Sequence, residues 1–190
     1  MPPSAESSDE ELMLRYRDGD AGAFDALYAR HKGGLYRYVM RQCRDAGAAE
    51  ELFQDIWMNL IRARSGYTVQ AKFTTYLYRL AHNRLIDHYR KHAHVAVTSF
   101  EDEDGEALEA LPDERERPAD DALDAKRLAG RLLELIAELP EAQREAFLLQ
   151  QEGGMSVEEI AQATGVTRET AKSRLRYAIN RLRQGMREWR

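Results

Sequence analysis

Ser156 to Arg183, SVEEIAQATGVTRETAKSRLRYAINRLR, is the stretch whose reading decides the fold. Ser156 stands where a helix N-cap belongs, and Glu159, three residues on, completes a capping box. The helix so opened runs through Val157, Ile160 and Ala161 to Gly165, a residue suited to the left-handed backbone of a tight turn. Thr167 then caps a second helix. There Ala171, Leu175, Ala178 and Leu182 recur at helical spacing and form one apolar stripe. At about 100° per residue, Glu169, Ser173, Arg176 and Asn180 point the opposite way, with Lys172 and Tyr177 on the flanks. A short helix bracing a longer one with a polar, basic outer face suits a DNA major groove. An ordinary αα-hairpin with a solvated basic face has the same local pattern. The remainder of the chain has to separate the two.

The net charge of −5 argues at first against a nucleic-acid partner, but the charge is unevenly spread. Residues 1–98 carry 14 basic and 12 acidic groups, residues 99–124 carry 2 and 12, and residues 125–190 carry 12 and 9. Acidity therefore belongs to a connector, and both flanks are mildly basic. Residues 168–190, with 8 basic and 2 acidic groups, present the local field that a phosphate backbone would meet. No apolar run has the length of a membrane span, and MPPSAESSDEEL has acidic residues where a signal peptide has basic ones. A cytoplasmic protein without membrane insertion is expected. The single cysteine, Cys43, excludes an internal disulfide and a multi-cysteine zinc site, and reads as a small packed side chain.

The connector, SFEDEDGEALEALPDERERPADDALD (Ser99–Asp124), has no sustained apolar face and contains Gly105, Pro112 and Pro118. It is expected to be a flexible, solvated link, and its DEDG lacks the ligand spacing of a calcium loop. Before it, residues 9–94 read as wholly helical: a helix over Glu10–Arg17, a second over Ala23–Arg30, and a longer one holding Leu35, Tyr36, Val39 and Met40. Ala48–Arg64 carries the strongest pattern, with Leu52, Phe53, Ile56, Trp57, Leu60 and Ile61 on one stripe. Glu51, Gln54, Asp55 and Asn59 lie off that stripe. The last helix, Thr74–Lys91, turns Leu77, Leu80, Ala81 and Leu85 inward. Arg79, Asn83, Asp87 and Arg90 align on its polar side, beside Phe73, Tyr76, Tyr78 and Tyr89. Cations interleaved with aromatics fit a single-stranded nucleic acid, whose phosphates pair and whose unstacked bases seek a π face. A packed helix with core tyrosines and solvated arginines satisfies the same spacing.

Taken in order, these segments resemble the extracytoplasmic-function sigma factors, a compact branch of the bacterial sigma-70 family. GDAGAFDALYARHKGGLYRYVMR, AAEELFQDIWMNLIRAR and FTTYLYRLAHNRLIDHYRK are similar to successive parts of the family's region 2. LPEAQREAFLLQQEGGMSVEEIAQATGVTRETAKSRLRYAINRLR is similar to region 4. The resemblance implies an all-α fold of two small domains: region 2 over 9–95, an acidic linker over 96–121, and a helix-turn-helix region 4 over 122–190. It implies a non-enzymatic subunit that binds RNA polymerase core and directs promoter-specific initiation. It also implies an anti-sigma factor as regulator. By position, Glu51, Gln54, Asp55 and Asn59 would dock on the clamp helices of the polymerase largest subunit. The melted minus-10 element would meet Tyr67, Lys72, Phe73, Tyr76, Arg79 and Asn83, with Tyr76 where the family often has Trp. The minus-35 duplex would meet Arg168, Lys172, Ser173, Arg174, Arg176 and Tyr177. Ser173 and Arg176 are best placed for base edges, and Arg174 for phosphate.

Other chemistry is weakly supported. His88, His92 and His94 have helical spacing but no HExxH glutamate or nearby cysteine, so no metal site is expected. The phosphate-cradling glycine motifs are absent, and no nucleophile has an evident base. No cofactor and no small-molecule substrate are expected. A stand-alone helix-turn-helix regulator is the competing function, and it predicts tight operator binding without polymerase.

Overall fold

A computed structural model describes residues 7–92 and 121–189, and all its regular elements are helical. Side-chain caps open several of the helices. Ser8 and Glu11 form a capping box on α1 (Asp9–Arg17), and Asp20 accepts from the Ala23 N–H to open α2 (Ala21–Gln42). Asp45 accepts from Gly47 and Ala48 at the head of α3 (Ala46–Ala63). A 3₁₀ turn, Arg64–Gly66, and a short loop lead into α4 (Phe73–His92). The second half comprises α5 (Asp121–Glu138), α6 (Glu141–Gly153), α7 (Val157–Thr164) and α8 (Arg168–Glu188). Gly154 and Gly165, at φ 61° and 69°, close α6 and α7 in the left-handed region that side chains disfavour. The connector proposed for 96–121 lies outside the described residues, apart from Asp121, which begins α5. His94 lies outside them as well.

Two departures from the sequence reading concern α2 and α4. The segments around Ala23–Arg30 and Leu35–Met40 are one helix, continuous through Gly33 and Gly34. Glycine weakens an isolated helix, but here it permits close approach. A Cβ on Gly34 would lie 2.9 Å from the Glu152 carbonyl oxygen and 3.1 Å from the Tyr78 hydroxyl. In α4 the aromatic residues largely face inward, as the packed-helix alternative requires. Phe73 and Tyr78 are buried, and the half-buried Tyr89 donates to the Gln42 carbonyl at 2.8 Å.

The first half packs α1–α4 around Leu12, Met13, Leu27, Leu35, Ile56, Leu60, Phe73 and Leu77, all fully buried. In the second half Leu148, Leu149, Ile160, Ala171 and Ala178 form the interior under α8. The halves also share an interface, in which α2 and α4 lie against α6 and α7. At its centre Tyr38 and Tyr78 meet edge to face, ring centroids 5.2 Å apart. The Tyr38 hydroxyl donates to Glu145 Oε1 at 2.8 Å, and His82 Nδ1 lies 2.7 Å from the same oxygen. Arg144 Nε donates to Gln42 Oε1 at 2.9 Å, while its Nη1 donates to the Ala137 carbonyl at 3.1 Å. Arg37 and Arg41 both pair with Glu152. Buried charges at this junction are thus partnered, as the cost of stranding them requires.

Candidate nucleic-acid interface

The apolar stripe of α8 decides which side chains face outward. Ala171, Leu175, Ala178 and Leu182 are buried against the second-half core, so Arg168, Lys172 and Arg176 stand exposed. Ser173, Arg174 and Tyr177 are half-buried on the same helix. The Arg176 guanidinium lies over the Tyr177 ring, 5.1 Å from its centroid, a cation–π contact that limits how far it can swing. Arg168 Nε donates to Glu158 Oε1 at 2.5 Å, tying the recognition helix to α7. The guanidinium in turn holds the Glu158 carboxyl below its ordinary range. Lys172 has no ion-pair partner among the described residues. Thr167 caps the N-terminus of α8 by accepting the Thr170 N–H, and helix N-termini favour phosphate.

The face built on α4 and its preceding loop is different. Lys72, Arg79 and Asn83 are exposed, and Tyr76 is half-buried. Tyr67 and Phe73, expected to meet DNA, are instead 4% and 0% exposed. They pack around Tyr76, with centroids 5.1 and 6.3 Å from its ring. The Phe73 N–H donates to Glu10 Oε1 at 2.6 Å, which anchors the start of α4 to α1. Both aromatics therefore form a floor beneath the surface and offer no open face to a base. Burial pushes the Tyr67 phenol up to about 12, and its hydroxyl has no hydrogen-bond partner among the described residues. Lys72 Nζ sits 2.7 Å from Glu159 Oε1, and Arg79 Nη2 donates to the Gln162 carbonyl at 2.9 Å. Both partners belong to α7. The sequence pattern identified these cations as exposed, but no local signal could show that α7 supplies their partners.

On α3, Glu51 and Gln54 are exposed, and Asn59 is half-buried. Asp55 is not an unengaged carboxylate: Arg84 of α4 donates to its Oδ2 through Nε at 3.0 Å and Nη2 at 2.6 Å. Sequence reasoning missed Arg84, although its cationic position on α4 was evident. The pair floors a polar cleft between α3 and α4, rimmed by Asn59, Arg62, Asp87 and Arg90. His88 and His92 lie with ring centroids 4.2 Å apart and their planes tilted by 36°. Desolvation first, and then the neighbouring His92, hold His88 below its usual range. Among the described residues no group of three or more His, Cys, Asp or Glu could hold a metal. None of the described helices is long and apolar enough to cross a membrane.

Comparison with known proteins finds relatives of both halves. Residues 27–95 match Sigma-70 region 2, and residues 129–182 match Sigma-70 region 4. The ECF RNA polymerase sigma factor SigK of Mycobacterium sp. (strain KMS) is 30% identical over 179 residues, 93% of this chain and 90% of that protein. RNA polymerase sigma factor CarQ of Myxococcus xanthus is 29% identical over 172 residues, 90% of this chain and 94% of that protein. The fold is similar to that of CnrH, solved with the cytosolic domain of CnrY. The TM-score is 0.66 at 20% identity, over 94% of this chain and 96% of that one. It is also similar to sigma factor RpoE of Bartonella quintana, solved with the anti-sigma factor NepR. There the TM-score is 0.64 at 20% identity, over 86% of this chain and 96% of that one.

Proposed function

The chain belongs to the extracytoplasmic-function sigma factors of the sigma-70 family, and from that premise we infer that it directs RNA polymerase core to promoters. One observation carries the reading: separate basic faces, on α8 and on α4, stand on two helical halves in the family's order. Region 2 spans 9–95 and region 4 spans 122–190, with 96–121 as the tether. On α8, Ser173 and Arg176 read base edges of the minus-35 duplex, Lys172 and Arg168 support them, and Arg174 meets phosphate. Tyr177 fixes the Arg176 guanidinium. On the α4 side, Lys72, Arg79 and Asn83 hold the melted minus-10 strand, and Tyr76 supplies the aromatic surface. Tyr67 and Phe73 act beneath it, by setting the position of Tyr76.

Glu51, Gln54, Asp55 and Asn59 form the face for the polymerase clamp helices, with Asp55 oriented by Arg84. Tethering two modest grips raises the effective concentration of the second once the first is made. An anti-sigma factor is the proposed regulator, by likeness to the solved complexes. The cytoplasm is the proposed site of action.

A run-off assay with purified chain and core polymerase across candidate promoters tests the reading. Promoter-dependent transcripts should appear with both components and vanish with Arg176→Ala. Tight operator binding by the chain alone, with no binding to core, would establish the stand-alone regulator instead.

A further inference from the structure

The cations assigned to the melted strand are already held by oxygen atoms of the chain's own α7. Glu159 uses both carboxylate oxygens: Oε2 accepts the Ser156 N–H at 2.8 Å, closing the capping box, and Oε1 holds Lys72 Nζ at 2.7 Å. Lys72 accordingly keeps the Glu159 carboxyl below its ordinary range. The carbonyl that takes Arg79 belongs to Gln162, in the last turn of α7. There helix carbonyls lack internal partners and the dipole is negative. One short helix thus offers a carboxylate from its first turn and an electronegative carbonyl from its last. Both meet the cations at the head of α4.

We propose that α7 is an intramolecular stand-in for the melted DNA strand, engaging Lys72 and Arg79 of the strand-reading face of region 2 in the free chain. On the duplex-reading face of α8 it engages Arg168 alone and leaves Lys172 and Arg176 without an ion pair among the described residues. The proposal rests on the assignment of Lys72 and Arg79 to the minus-10 strand. Lys172 and Arg176 on α8 remain exposed in the same arrangement, so the two grips are available in order, duplex before strand. The holding force lies elsewhere. Tyr38 and His82 on Glu145, Gln42 on Arg144, and Arg37 and Arg41 on Glu152 are partners across the junction rather than at the DNA face. The Lys72 side chain is 70% exposed. Its pair is therefore weak and exchangeable, as a lid over a polyanion site needs to be.

The test uses the full chain without polymerase, a fluorescein-labelled mixed-sequence single strand, and a duplex of equal length, read by anisotropy across a salt series. Glu159→Gln removes the negative charge that pairs with Lys72 while a glutamine still completes the capping box, so α7 stays folded. Single-strand affinity should rise about fivefold, the upper end for a surface ion pair. The salt slope should steepen by about 0.7, as one more phosphate contact dictates. Adding Glu152→Gln should raise affinity further, while duplex binding stays within about twofold of the parent. Lys72→Ala in the Glu159→Gln background should abolish the gain. If neither Glu159→Gln nor the double variant binds single strand more tightly, the lid is overturned. Weakening by Lys72→Ala in every background would then leave its strand assignment standing. If Lys72→Ala and Arg79→Ala change nothing in any background, the assignment falls and the lid falls with it.

Discussion

The basic faces of α8 and α4 are alike in composition and opposite in circumstance. On α8 the cations project from a helix whose other side is buried, and Lys172 and Arg176 meet solvent. On the α4 side, Lys72 of the preceding loop and Arg79 are exposed too, but each is engaged by α7. The contrast teaches that an exposed, basic helix face is a local property, whereas its availability depends on what packs across from it. On the proposed assignment of the two faces to duplex and melted strand, that difference would impose an order on two sites that the sequence presents as equals.

The strongest way to break the contrast is to remove what holds the halves together. Glu145→Ala would leave the Tyr38 hydroxyl and the His82 ring without their shared acceptor inside the junction. A loss of about 3 kcal/mol is expected, since hydrogen bonds to a buried charge and the stranding of their donors both count. Urea unfolding should separate into two transitions, one for each half. A single transition at unchanged midpoint would show that the junction contributes nothing.

On the open face, Arg176→Ala should weaken minus-35 duplex binding by about 2 kcal/mol and relax preference at one base pair. Arg174→Ala should weaken all duplexes alike and lower the salt slope by about 1. The same behaviour from both variants would erase the distinction between base and phosphate roles.

Beneath the covered face, Tyr67→Phe should stabilise the chain by about 1 kcal/mol, because it deletes a buried hydroxyl that lacks a partner. The parent's Tyr67 phenol is raised to about 12. Ionisation is therefore disfavoured in the folded chain, so the parent loses stability relative to Tyr67→Phe as pH rises from about 10 toward 12. Thermal unfolding of the two proteins at neutral and alkaline pH measures both effects. Destabilisation by Tyr67→Phe would reveal a hydroxyl partner and return this residue to the candidate contacts.

The smallest effect concerns pH and Glu159. Its carboxyl is lowered in the folded chain, chiefly by Lys72. Its contribution is thus present above the ordinary carboxylate value and lost as pH falls through the folded one. The stability difference between the parent and Glu159→Gln should be under about 1 kcal/mol at neutral pH and should disappear on acidification. A difference that persists at low pH would show that the cap, not the ion pair, is responsible.

Much of the fold could be read locally because its signals are local. Ser156 with Glu159, Gly165, Thr167 and the stripe from Ala171 to Leu182 specify a helix-turn-helix within one stretch of chain. The α3 stripe, with Leu52, Ile56, Trp57 and Leu60 buried, works the same way. Residues whose role depends on a distant partner were read less well. Gly34 looks like a weak point in a helix, yet it lies under the Glu152 backbone. Tyr67 and Phe73 have the composition of a base-stacking surface, yet Glu10 and Tyr76 draw them into the interior. Asp55 has the placement of a docking carboxylate, but only the fold brings Arg84 to it.

The sequence by itself determined an all-helical fold with a capped helix-turn-helix, because periodicity and capping act within a few turns of backbone; the likeness to sigma factors rests on the order of those segments along the chain. Tertiary structure alone decided which cations are open and which are held. Lys72 and Glu159, or Tyr38 and Glu145, come from opposite halves of the chain, and no local pattern encodes their meeting.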